Sequence, residues 1–132
     1  MRVVIDTNVV IPMSSPRTSA YAILRGVALG RLSWLVSTAI HLEYLEKLAG
    51  RTTALSGARL RSVLSVSPFV VAVEPSYRFR LIHADEDDDK FVDCAVAGNA
   101  DYLVTDDRHY RRLKDVEFPK LRVVTARQFL GV

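Results

Sequence analysis

One cysteine, Cys94, is the whole thiol content of the chain, which excludes an internal disulfide and any zinc site built on paired cysteines. It lies in the apolar run Phe91-Val92-Asp93-Cys94-Ala95-Val96-Ala97, where a free cysteine is expected to be buried and inert. Long hydrophobic runs are also missing. No stretch approaches the roughly 20 residues of a membrane span, and the N-terminal residues read as a strand rather than a signal peptide. The expectation is a cytoplasmic protein with no membrane partner. No Gly-x-Gly-x-x-Gly follows the first strand, which argues against a dinucleotide-binding domain. No repeat or low-complexity linker interrupts the sequence.

What is present suits a single domain over residues 1–132, since 132 residues fall within the usual domain size of roughly 100–150. An apolar fraction of 49% with 25% charged residues is globular composition. The net charge is +3 and the isoelectric point about 9.2, yet the acids are clustered while Lys and Arg are dispersed. An acidic pocket in a mildly basic surface suits a polyanionic substrate bridged by metal cations. A solvated basic surface without any nucleic-acid partner accounts for the same charge.

Arg2 to Ile5 is a β-branched run of the kind that forms a buried strand. Pro12, Ser14, Ser15 and Pro16 mark a loop, and Ser19 to Leu29 has helical spacing closed by Gly30. Leu32 to Val36 reads as the second strand. Ser37-Thr38 caps a helix to about Leu48, with Leu42, Leu45 and Leu48 inward and Gly50 as the stop. A helix over Ser56 to Val66 is ended by Pro68, and Phe69 to Val73 reads as a third strand. Pro75 to His83 has no clear period. Asp85 to Asp89, all acidic, belongs on a loop or the first turn of a helix that continues through Lys90 to Ala97 and stops at Gly98-Asn99. Tyr102 to Thr105 is a fourth strand, Arg122 to Val124 a fifth, and Ala126 to Leu130 a short final helix. Strands alternating with helices predict an α/β fold with a mainly parallel sheet of about five strands, covered on both faces. Ligands of such sheets bind at the carboxyl ends of the strands. Asp6 and the pair Asp106-Asp107 both sit there.

Carboxylates crowded into an apolar fold repel one another unless they protonate or a cation neutralises them. With oxygen ligands and no His/Cys cluster, the suitable ions are Mg²⁺ and Mn²⁺, and the chemistry they serve is phosphoryl transfer by an activated water.

Over almost its whole length the chain resembles the PIN-domain family. The resemblance is carried in order by Val4-Ile5-Asp6-Thr7-Asn8-Val9-Val10, Ser37-Thr38-Ala39-Ile40 leading to Glu43, Asp89-Lys90-Phe91-Val92 with the Ala-rich helix to Gly98, Ala100-Asp101-Tyr102-Leu103-Val104-Thr105-Asp106-Asp107, and Val123-Val124-Thr125-Ala126-Arg127-Gln128-Phe129-Leu130. It implies a three-layer α/β/α sandwich and a metal-dependent endoribonuclease acting on single-stranded RNA, leaving a 5′-phosphate and a 3′-hydroxyl. It further implies a toxin of the VapC type, with a cognate antitoxin partner and a homodimer. The family acids fall on Asp6, Glu43, Asp89 and Asp107, and Asn8 and Thr105 match the polar positions that assist them. Asp93 stands one helical turn after Asp89 on the same face, and Asp106 is adjacent to Asp107, so both are further candidate ligands.

Each residue also has a plainer reading. Asp6 could end its strand in an Asx turn; Glu43 could pair with Lys47 on a helix surface; Asp85 to Asp88 could be a solvated loop. Arg108, Tyr110, Arg111 and Arg112 suit RNA phosphates and a stacked base, or else a solvated basic face. His109 is a weaker candidate general acid, and His41 and His83 read as structural or surface residues. Two other functions remain open: a PIN fold that binds RNA without cutting it, and a phosphoacceptor receiver-like signalling domain. A receiver needs an acceptor Asp after its central strand, whereas Phe69 to Val73 is followed by Glu74-Pro75.

Overall fold

Val3, Val4 and Ile5 have no exposed surface because the strand they form runs through the middle of the protein. The structure is a computed structural model that describes residues 1–75, 86–107, 110 and 121–131, with the backbone alone for 86–89. In chain order the elements are β1 (Arg2–Ile5), α1 (Thr7–Met13), α2 (Tyr21–Ala28), β2 (Ser33–Val36), α3 (Thr38–Leu48), α4 (Ala54–Val66), β3 (Val70–Ala72), α5 (Glu86–Ala97), β4 (Tyr102–Val104), β5 (Val123–Val124) and α6 (Ala126–Leu130).

The sheet order is β3-β2-β1-β4-β5, and every pairing is parallel. This is the expected α/β/α sandwich. Its strands are apolar on both faces because helices cover both, with α5 packed across β1, β2 and β4. The chain builds outward from β1 to β2 and β3, then returns to the other side of β1 with β4. In sheets of this kind the ligand crevice lies at that reversal, outside the carboxyl ends of β1 and β4. The receiver-like alternative fails here. A receiver's order is 2-1-3-4-5, whereas in this sheet the third strand is at an edge.

Two expectations are corrected. Pro12 does not begin a loop but lies inside α1. Proline lacks the N–H that would bond the carbonyl four residues back, so one bond is missing from the last turn of this short helix. Val9, Val10 and Met13, all fully buried, hold its inner face. The inward stripe of α3 is Ile40, Tyr44 and Leu48, at a strict four-residue spacing, while Leu42 and Leu45 are 62% and 40% exposed. The helix is turned by its polar anchorage. Ser37 caps it by accepting from the Ile40 amide at 3.2 Å, and Glu74, just past β3, accepts from the Thr38 amide at 2.7 Å and its hydroxyl at 2.5 Å.

Tyr44 supplies the link from α3 to the central strand. Its buried hydroxyl donates to the Ile5 carbonyl and accepts from Trp34 Nε1 at 3.3 Å. Burial of the ring pushes the phenol well above its ordinary pKa, so it remains a donor. Tyr44→Phe strips the partner from two buried groups and should lower stability by about 2 kcal/mol, measured by urea unfolding; a loss below about 0.5 kcal/mol would show that those groups find other partners.

Candidate active site

Asp6 is the first residue past β1, and its amide still bonds to the Val104 carbonyl of β4 at 2.9 Å. Its own carbonyl accepts from the amides of Val9 and Val10, which makes it the residue that turns strand into helix. An Asp in that place normally caps the helix with its side chain, but here the carboxylate makes no cap bond. It faces the crevice instead, where Thr105 Oγ1 donates to Asp6 Oδ2 at 2.7 Å. The side chain is 5% exposed. Burial pushes its carboxyl up to about 6, the Thr105 hydroxyl and the Thr7 amide pull the other way, and the charges of Glu43 and Asp107 raise it further.

Glu43 projects from α3 into the same region rather than pairing with Lys47. The Thr7 hydroxyl donates to its Oε2, and Lys90 Nζ on α5 lies 2.8 Å from Oε1. Thr7 and Lys90 are contributors that the sequence reading did not assign. Thr7 is visible only as the neighbour of Asp6. The ion pair joins residues 43 and 90, for which no local spacing gives a signal.

The two consecutive acids after β4 separate. Asp106 is exposed, its Oδ1 accepts from the Ala126 amide at the start of α6 at 3.0 Å, and its amide donates to Asn8 Oδ1 at 3.3 Å. Asp107 donates its amide to Thr105 Oγ1 at 3.0 Å, and it is Asp107 whose charge acts on Asp6. Thr105 therefore ties Asp6 to the Asp107 backbone through one hydroxyl. Asn8 thus braces the backbone at Asp106.

Asp93 is 5% exposed on α5. The side chain of Asp89 lies outside the described residues, as do Arg108, His109, Arg111, Arg112 and His83. Tyr110 is corrected: it is wholly buried, so its ring offers no stacking face to RNA. Its amide donates to the Asp107 carbonyl at 3.3 Å. Cys94 is buried as expected, and that burial lifts its thiol to about 12.

Among the described residues no group of three or more His, Cys, Asp or Glu side chains stands close enough to hold one ion. The charges of Glu43 and Asp107 nevertheless act on Asp6 through space, and a buried carboxylate with two anionic neighbours is relieved by a cation. Mg²⁺ binds through one or two carboxylates and keeps several waters. An all-oxygen pair from this set fits such a hard ion.

A PIN domain family model matches residues 2–109 of the chain. Among solved structures, VapBC2 from Rickettsia felis bound to a DNA fragment from its promoter superposes with a TM-score of 0.61 at 18% identity, covering 95% of this chain and 98% of that one. PAE2754 from Pyrobaculum aerophilum superposes with a TM-score of 0.58 at 18% identity, covering 99% of this chain and 88% of that one. No curated protein matches the sequence.

The raised Asp6 pKa fixes the sign of a pH effect. The folded protein holds this proton more tightly than the unfolded chain, so the destabilisation is absent below 3.8 and complete above about 6. At about pH 7.5 with chelator, Asp6→Asn should be more stable than the wild type by about 2–3 kcal/mol, and the gain should vanish near pH 4. Denaturant unfolding at the two pH values measures it; equal stabilities at the higher pH would mean that the buried charge carries no penalty.

Proposed function

The chain belongs to the PIN-domain family, and from that premise we propose that it is an Mg²⁺- or Mn²⁺-dependent endoribonuclease of single-stranded RNA, the toxin member of a toxin–antitoxin pair. The observation that carries the reading is the buried Asp6 carboxylate at the β1/β4 crevice, with Glu43 and Asp107 close enough to raise its pKa. PIN domains are generally nucleases, and this donor set matches the hard cations that phosphodiester hydrolysis uses.

In this reading Asp6 is the principal metal ligand, aimed by Thr105. Asp107 and Glu43 supply further carboxylate oxygens, and Asp89, with Asp93 behind it, completes the set from α5. Bound there, a divalent ion would make an attacking water acidic enough near neutral pH and offset the charge on the phosphoryl oxygens. Asp106, engaged by α6, shapes the loop and holds no metal. Arg108, Arg111 and Arg112 contact RNA phosphates from the segment after Asp107. A protein partner is supported by the Rickettsia felis neighbour, which is named as VapBC2 on promoter DNA; for this chain the partner would be a small antitoxin that occludes the acidic crevice. Homodimerisation and a cytoplasmic location belong to the same reading.

The test is cleavage of labelled single-stranded RNA with Mg²⁺ or Mn²⁺ and with chelator. Wild type should cut only with metal. Asp6→Asn and Asp107→Asn should each lose more than the roughly 10–100-fold typical of an outer-shell partner, and Asp106→Asn should lose less. Equal cleavage by wild type and Asp6→Asn would defeat the mechanism, and RNA binding without cleavage would favour a non-catalytic PIN protein.

A further inference from the structure

We propose that Lys90 is a built-in counter-cation, which holds Glu43 in the metal-free protein and competes with the divalent ion for it. The inference rests on the metal-site reading above. Both oxygens of Glu43 are engaged, Oε2 by the Thr7 hydroxyl and Oε1 by Lys90 Nζ at 2.8 Å. The two partners come from different elements, and each directly follows a proposed ligand: Thr7 follows Asp6, and Lys90 follows Asp89.

The pair is not an ordinary surface ion pair. The Lys90 and Glu43 side chains are only 18% and 17% exposed, so water and salt screen the ammonium less than they would at the surface. An ion that takes Oε1 must displace Lys90 or tolerate a positive charge beside it, and both weaken metal binding. The ammonium has somewhere to remain after displacement, because it also lies 5.3 Å from the centroid of the Phe91 ring. Lys90 thus acts through Glu43. It neutralises one of the carboxylates around Asp6 when no metal is bound, and by linkage the metal loosens the Lys90–Glu43 pair as much as that pair weakens the metal.

A staple between α3 and α5 would give a different signature. Losing a staple lowers stability and leaves metal affinity unchanged or weaker, whereas losing a competing cation makes the metal bind more tightly. The experiment titrates Mn²⁺ calorimetrically into the full chain as wild type, Asp6→Asn, Lys90→Met, Lys90→Gln, Lys90→Arg and the double variant Lys90→Met/Glu43→Gln, with thermal unfolding in chelator alongside. Lys90→Met and Lys90→Gln should bind Mn²⁺ about tenfold more tightly than wild type and melt at a lower temperature without metal. Lys90→Arg should stay at the wild-type affinity, and the double variant should lose the gain. If Mn²⁺ binding is sensitive to Asp6→Asn but the two neutral variants bind no more tightly than wild type, the Lys90 proposal falls and the nuclease site stands. If wild type and Asp6→Asn bind Mn²⁺ equally, the metal site itself falls and the competition with it.

Discussion

A carboxylate that water barely reaches sets the terms for everything around it. Asp6 cannot withdraw to the surface, because β1 is the middle strand of the sheet and Val3, Val4 and Ile5 are buried completely. Nor is its charge balanced by its partners among the described residues. One hydroxyl and one amide favour the ionised form, but burial outweighs them, and Glu43 and Asp107 add to the penalty. A fold assembled for stability alone would place an apolar or neutral residue there. Perturbed carboxylates of this kind cluster at functional sites.

The neighbours of Asp6 are arranged to hold its position rather than to neutralise it. Tyr44 fixes the carbonyl that precedes it, and Thr105 fixes one carboxylate oxygen from the next strand. The contrast with Ser37 is instructive, since that residue also ends a strand and begins a helix but uses its side chain to cap the helix. Asp6 gives that bond up. The first turn of α1 keeps its favourable dipole for a negative charge, and the carboxylate stays directed into the crevice. Rigid support from a strand, two helices and a neighbouring strand end is the arrangement that keeps a site preorganised.

Much of this was legible from the residues because parallel strands covered on both faces have to be apolar throughout. Val3-Val4-Ile5 and Leu103-Val104 stood out for that reason, and the alternation of strands and helices then placed Asp6 and the pair Asp106-Asp107 at one edge. Other features were hidden by competing local signals. Pro12 and the Ser14 to Pro16 stretch obscured α1, although Val9, Val10 and Met13 share its buried face. The leucines of α3 suggested an inward stripe at three-residue steps, yet Ile40, Tyr44 and Leu48 take the interior, because Tyr44 has a hydroxyl partner on β1. Thr7 showed only as the neighbour of Asp6, and nothing in the spacing linked Lys90 to Glu43. Their partner, Glu43, lies 36 and 47 positions away in sequence, and only the packing of α1, α3 and α5 brings the three together.

The tandem acids after β4 illustrate how local hydrogen bonds decide between residues that composition cannot separate. Successive side chains at the end of a strand leave on opposite sides, so Asp106 and Asp107 could not both face Asp6. The choice follows from what each is bonded to. Asp106 is drawn toward α6 by the Ala126 amide and toward α1 by Asn8, while the Asp107 amide is held on the Thr105 hydroxyl that also holds Asp6. The carbonyl of Asp107 then accepts from Tyr110, whose ring is buried without residual exposure. The aromatic residue that might have been spent on RNA is thus buried instead, with its amide bonded to the backbone of the acid beside Asp6.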